Sequence, residues 1–229
     1  MKNQLVKDAL VLTVITLVAG LALGFVSEIT KEPIAKAEAA ALAKAYQSVF
    51  ADASEFEPLE GFDADAATQI GLAAEGNEGD NQITDCQVAK DKDGNDIGYI
   101  ITVTTHDGYG GDITFSMGVT NEGVMNGYSI TSIDETPGLG MKSTEEAFYS
   151  QFENIPVGAY TVTKTSPAGE NEIEAISGAT ITSRSVTNGV NAGMAYFESL
   201  ENAGSGDDAD ASEESADEST EEEGGESDE

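Results

Sequence analysis

Residues 99–119 read YIITVTTHDGYGGDITFSMGV, and this stretch decides the fold. Tyr99, Ile101 and Val103 alternate with smaller or polar neighbours, and so do Ile113, Phe115, Met117 and Val119. A period of two places each set on one face of a β-strand. Turn chemistry brackets both runs: Asp93-Gly94-Asn95 before, Gly108 to Gly111 between, Asn121-Glu122-Gly123 after. Two adjacent strands joined by a short glycine-rich turn are an antiparallel pair. Further strands are expected at Tyr128 and Ile130, at Tyr160 and Val162, and around Cys86 in Gln82–Ala89.

Helical patterns lie towards the ends. From about Ser183 to Leu200, Val186, Val190, Met194 and Phe197 form one apolar stripe. Thr144 to Phe152 reads as a short helix capped by Ser143 or Thr144, with Glu145 and Glu146 in its first turn. Ala51 to Asn81 is weakly patterned and reads as loop with one short element at most. The class is α+β, with a mainly antiparallel sheet.

Ala9 to Val26 is an 18-residue run without a charge. As a helix it reaches about 27 Å, close to the roughly 30 Å of a bilayer core. It reads as a membrane span, against a cleaved signal peptide or a buried core helix. Lys2 and Lys7 precede it, so the positive-inside rule puts the N-terminus in the cytoplasm and the remainder on the far face. Pro33 to Phe50, rich in alanine and with proline at a tolerated first-turn position, reads as a juxtamembrane helix that continues the anchor. The expected organisation is a stub and span over 1–30, one domain over 31–200, and an acidic tail over 201–229.

The chain of 229 residues has 43 Asp plus Glu against 10 Lys plus Arg, a formal charge of −33. Of those acidic residues 14 fall in the tail, which has no basic residue, no aromatic and no branched aliphatic, and reads as disordered. Nucleic-acid binding needs clustered cations that this chain lacks. One cysteine, Cys86, and one histidine, His106, exclude an internal disulfide and leave a zinc site short of ligands. Asp91 to Asp96 fails the EF-hand pattern, with Asp96 at the glycine position and Thr102 at the glutamate position, and reads as a hairpin turn.

Two segments carry chemistry. In Asp134-Glu135-Thr136-Pro137-Gly138-Leu139-Gly140, proline fixes one φ and the glycines allow close backbone approach. It reads equally as a ligand-holding loop or as a plain tight turn. Ser177-Gly178-Ala179-Thr180-Ile181-Thr182-Ser183 stands directly before the last helix. There a phosphate at Thr180 would meet unpaired N–H groups and a positive dipole end, or Thr182 and Ser183 would simply cap the helix.

Taken together, ETPGLG at 135–140 and SGATITS at 177–183, with GYGG at 108–111, resemble the covalent-FMN-binding domain. That domain is shared by the G subunit of the Rnf electron-transport complex and the C subunit of the sodium-translocating NADH:quinone reductase. The resemblance covers roughly residues 31–200 and implies FMN joined through its phosphate to Thr180 by a separate flavin transferase, with Thr182 as rival acceptor. It also implies cofactor contacts at Glu135, Thr136, Gly138, Leu139, Ser177, Gly178, Ala179, Thr182 and Ser183. Glu174 stands where the family's transferase pattern has aspartate. Lys142 would offset flavin or phosphodiester charge, and Arg184 is the other cation near the motifs. The implied function is electron relay within a membrane complex, with no catalytic residue and no metal. The alternatives are a free-standing anchored FMN domain passing electrons to extracellular acceptors, and a flavin-free surface binding module.

Overall fold

The structure is a computed structural model that describes residues 2–74, 78–167 and 169–210. It opens with one helix, α1, Lys2–Val49, of 48 residues and therefore about 72 Å long. Its apolar part is bare: Leu12, Leu21, Leu23 and Phe25 are each more than 60% exposed. The 18-residue window with mean hydropathy 2.6 buries nothing, which removes the core-helix reading. As expected from the sequence, the alanine-rich segment continues the anchor: the helix runs through Pro33 to Val49. The alanines from Ala35 to Ala43 have the highest helix propensity and hold the helix across the one missing hydrogen bond.

A six-stranded antiparallel sheet follows in the order β1-β2-β3-β4-β5-β6. Its strands are β1 (Glu55–Pro58), β2 (Asn81–Lys90), β3 (Asp96–Thr105), β4 (Ile113–Thr120), β5 (Val124–Ile133) and β6 (Ile155–Pro156). Ile101 pairs with Met117 and Val103 with Phe115. The alternation at 99–119 is thus the alternation of the sheet's two faces.

One face carries the main core. Ile101, Val103, Phe115 and Met117 meet Val186, Val190 and Met194 of α4, Thr180–Asp210, in one fully buried cluster. α4 lies close to the strands because Gly193 has no side chain where Met117 Sδ sits, and a Cβ on Gly189 would come within 2.9 Å of Phe115 Cζ. Two buried polar contacts fix it: Thr105 Oγ1 to Ser185 Oγ at 2.8 Å, and the Asn191 amide, which pairs with the backbone N–H and C=O of Tyr160 at 2.9 Å each. The opposite face is covered by the end of α1, where Tyr46, Val49 and Phe50 pack on Ala89 and Ile100. Gly118 lets them seat, since a Cβ there would lie 2.9 Å from Phe50 Cε2. Asn126 Nδ2 donates to the Val49 carbonyl at 2.9 Å and closes the helix end.

Several boundaries differ from those read in the sequence. The stretch 51–81 holds β1 and a capped helix, α2 (Ala64–Leu72), where Asp63 accepts from the N–H groups of Asp65 and Ala66. The segment 140–152 is not one capped helix but two 3₁₀ turns, Gly140–Thr144 and Ser150–Phe152, flanking α3, Glu146–Tyr149. Ser143 and Thr144 donate to the carbonyls of Gly140 and Met141 instead of capping. Tyr160 is buried just ahead of β7 (Thr161–Thr163), which pairs in parallel with β8, Glu172–Glu174. α4 starts at Thr180 and continues to Asp210, through residues read as the start of a disordered tail. Once a helix is nucleated on a packed template, each added residue gains a hydrogen bond. Residues 211–229 of that tail lie outside the described residues.

Phe115 is 0% exposed at the centre of the α4 face. Phe115→Ala is expected to cost about 3–5 kcal/mol of stability, measured as a lowered denaturant midpoint with an unchanged m-value.

Candidate functional site

The two chemistry-bearing segments and the GYGG loop, up to 75 residues apart in the chain, come together at the N-terminus of α4. The loop 134–140 leaves the end of β5 through Thr136-Pro137-Gly138-Leu139. Leu139 N–H donates to Thr136 O at 3.1 Å and Gly138 has φ +76°, the pattern of a type II turn. Ile176-Ser177-Gly178-Ala179 repeats it, with Ala179 N–H on Ile176 O at 2.9 Å and Gly178 at φ +81°. Both glycines stand where a side chain would strain the backbone.

Ser183 holds the second turn against the helix. Its Oγ accepts from the Ile176 N–H and donates to the Ala179 carbonyl, each at 2.9 Å. It lies inside α4 and does not cap it. The first bond of the helical ladder is Ser183 N–H to Ala179 O, so the N–H groups of Thr180, Ile181 and Thr182 precede the ladder, at the positive end of the dipole. Half-buried Thr180 is the first residue of α4 and makes no side-chain hydrogen bond among the described residues.

Glu135 joins the three segments. It is 8% exposed. Its Oε1 accepts from the Tyr109 N–H at 2.7 Å and from the Thr182 hydroxyl at 3.1 Å. Oε2 is buried without a hydrogen-bond partner among the described residues. It lies under Gly140, where any Cβ would collide with it and would come within 2.7 Å of Thr182 Oγ1.

These elements enclose a cleft of about 400 Å³. Glu135, Thr136, Leu139, Gly178, Ala179, Thr180 and Thr182, all singled out in the sequence, line it. Lys142 and Ser177 instead line a neighbouring groove with Glu145 and Glu174, on the other side of the 176–179 turn. Arg184 is exposed on α4, Gly138 serves its turn, and Ser183 lies buried beneath. Tyr109, Gly140 and Ile181 also line the cleft and were not among the residues singled out. Tyr109 stands in the middle of GYGG and Gly140 closes ETPGLG, so the motifs themselves carried that signal; Ile181 had none. Tyr109, Leu139 and Ile181 are 71, 42 and 53% exposed, an apolar rim beside a row of N–H donors. That pairing fits a flat aromatic ring attached to a phosphate, which is what FMN is.

Cys86 and His106 lie outside the cleft. Burial pushes the Cys86 thiol up to about 12. His106 Nδ1 is 3.0 Å from Asp112 Oδ1, across the base of the GYGG loop. The bond to Asp112, together with the charges of Asp112, Asp80 and Asp107, raises the imidazole above its ordinary value, against the opposing effect of burial.

Residues 108–195 match the FMN-binding domain family, and residues 1–49 match the RnfG N-terminal region. The chain therefore carries an FMN-binding domain. It is 32% identical over 197 residues to the G subunit of the Na(+)-translocating ferredoxin:NAD(+) oxidoreductase complex of Acetobacterium woodii, covering 85% of this chain and 92% of that one. The G subunit of the ion-translocating oxidoreductase complex of Methanosarcina acetivorans is 26% identical over 87% of this chain and 97% of its own. The chain belongs to this family of G subunits. Among solved structures, the C subunit of the Na(+)-translocating NADH-quinone reductase of Parabacteroides distasonis aligns at TM-score 0.42 and 25% identity, covering 49% of this chain and 60% of that one. Shewanella oneidensis NqrC aligns at 0.46 and 16%, covering 69 and 88%.

Gly140→Ala is expected to displace the Glu135 carboxylate and cost about 1–3 kcal/mol, read from thermal melts. His106, the single histidine, should titrate by NMR above 6.5 and return towards that value in Asp112→Asn. A raised folded pKa stabilises the protonated form. This contribution is complete below about pH 6.5 and disappears as pH rises through the folded value.

Proposed function

We propose that this chain is the membrane-anchored electron-transfer subunit of an Rnf-type ion-translocating complex, and that it relays electrons through FMN esterified to Thr180. The observation that carries this reading is the position of Thr180. It is the first residue of α4, it opens onto the cleft, and its hydroxyl is not engaged elsewhere among the described residues.

The N–H groups of Thr180 to Thr182 and the dipole of a 31-residue helix hold the single charge that a phosphodiester retains. Thr180 Oγ would form the ester bond as the P–O–P bond of FAD breaks on a flavin transferase, with AMP leaving and the hydroxyl proton passing to solvent. Thr182, the rival acceptor, is buried at 1% exposure with its hydroxyl on Glu135, which favours Thr180. The rim of Tyr109, Leu139 and Ile181 would hold the ring and keep water from its faces. The bound isoalloxazine supplies the redox chemistry. The chain supplies attachment, orientation and electrostatics.

α1 supplies the anchor. With the N-terminus in the cytoplasm, some 20 helical residues beyond the span, about 30 Å, would carry the domain out on the far face. Other membrane subunits of the complex are the electron donors and acceptors of this reading. A covalent link suits a compartment where lost FMN is not replaced.

Co-expression with a flavin transferase should give a denaturation-resistant fluorescent band and a mass increase equal to FMN less water. Both should vanish in Thr180→Ala and persist in Thr182→Ala. Adduct surviving in Thr180→Ala would move the site, and no adduct in the unmodified chain would overturn the function.

A further inference from the structure

Glu135 does more than its hydrogen bonds require. The link between the GYGG loop and α4 runs entirely through Oε1, which accepts from both Tyr109 and Thr182. A neutral amide oxygen would accept the same two bonds. The second oxygen and the negative charge therefore contribute nothing to that link, yet they are carried at a cost. Oε2 is buried with no donor, and an unpaired buried acceptor is expensive, more so when charged. No cation among the described residues pairs with Glu135, and Lys142 faces the neighbouring groove. Gly140 is what permits the arrangement, because any larger residue would occupy the place of Oε2. The charge thus lies fixed in the floor of the cleft, shielded from water.

We propose that Glu135 is an electrostatic positioning residue whose fixed negative charge makes the cleft resist further negative charge, and so lowers the reduction potential of the flavin attached at Thr180. The proposal rests on the reading of Thr180 given above. Two electrons and one proton taken up by an oxidised flavin leave one additional negative charge in the cleft. In a site of low dielectric a nearby fixed charge opposes this strongly. The electrons come from a low-potential one-electron carrier of the complex, and the proton from solvent. The sequence resemblance made Glu135 a direct cofactor contact. The geometry points to a different role, since Oε2 is covered by Gly140 and Oε1 is already engaged.

The test is a spectroelectrochemical titration of the full chain in detergent, with flavin loading checked by mass on the same samples. Glu135→Gln keeps the acceptor for Tyr109 and Thr182 and removes the charge. It should load fully and, at a fixed potential, show a reduced-to-oxidised flavin ratio about tenfold higher, equal to 29.6 mV for a two-electron couple. A loaded Glu135→Gln with an unchanged or lowered potential overturns the proposal. If Glu135→Gln does not load, Thr182→Ala decides. It keeps the carboxylate and removes one compensating donor, so its reduced-to-oxidised ratio should fall about threefold, and a ratio that holds or rises overturns the proposal. A wild-type chain without adduct overturns the reading of Thr180 itself, which the mass measurement separates from any failure of the charge argument.

Discussion

The packing of α4 across the sheet is the constraint on which the rest depends. The helix can lie on β3 and β4 only because Gly189 and Gly193 leave room for Phe115 and Met117. The polar pair Thr105–Ser185 and the Asn191 amide then fix its rotation and its height along the strands. The core and the site are therefore not independent. The stripe of Val186, Val190 and Met194 that buries the helix also determines where its N-terminus emerges, and that is where Thr180 stands. A helix shifted by one turn, about 5.4 Å, would carry its N–H donors out of the cleft.

Around that fixed end the loops are held by few bonds, and most involve short polar side chains. Ser183 ties the 176–179 turn to the helix and Glu135 ties the loop 134–140 to both Tyr109 and Thr182. Each is buried, so each bond acts in a medium where breaking it leaves an unpaired group. Pre-organisation of this kind suits a site that must present a bound cofactor in one orientation. In the function proposed above, the chain supplies placement and field, with the chemistry left to the cofactor.

How far the sequence was legible varies with the kind of interaction involved. The sheet was visible at 99–119 because burial of one face per strand imposes a period of two, and Tyr99, Ile101, Val103, Phe115 and Met117 obey it. α2 and β1 were hidden because their apolar content is slight: Ala67 and Gly71 are the buried residues of α2, and neither stands out from a loop. Ser143 and Ser183 looked like caps. Both direct their hydroxyls to carbonyls inside turns, a choice made by tertiary neighbours such as Ile176. Lys142 lay near the motif in sequence, but the 3₁₀ turn at Gly140–Thr144 carries it round to the next groove.

By itself the sequence determined what local chemistry dictates: an α+β class, an uncharged run long enough to cross a bilayer, a large excess of acidic over basic residues, and two motifs with a threonine before a helix. Proline and glycine restrict the backbone wherever they occur, so a tight turn at 136–139 was among the local readings, whereas the turn at 176–179 has no proline and is held by Ser183 of α4. Only the tertiary structure decided that the two motifs and GYGG share one cleft. It alone also left Glu135 with a buried, unpartnered oxygen. Those outcomes depend on contacts between residues 26 to 47 positions apart, such as Tyr109 with Glu135 and Glu135 with Thr182, and no local preference specifies them.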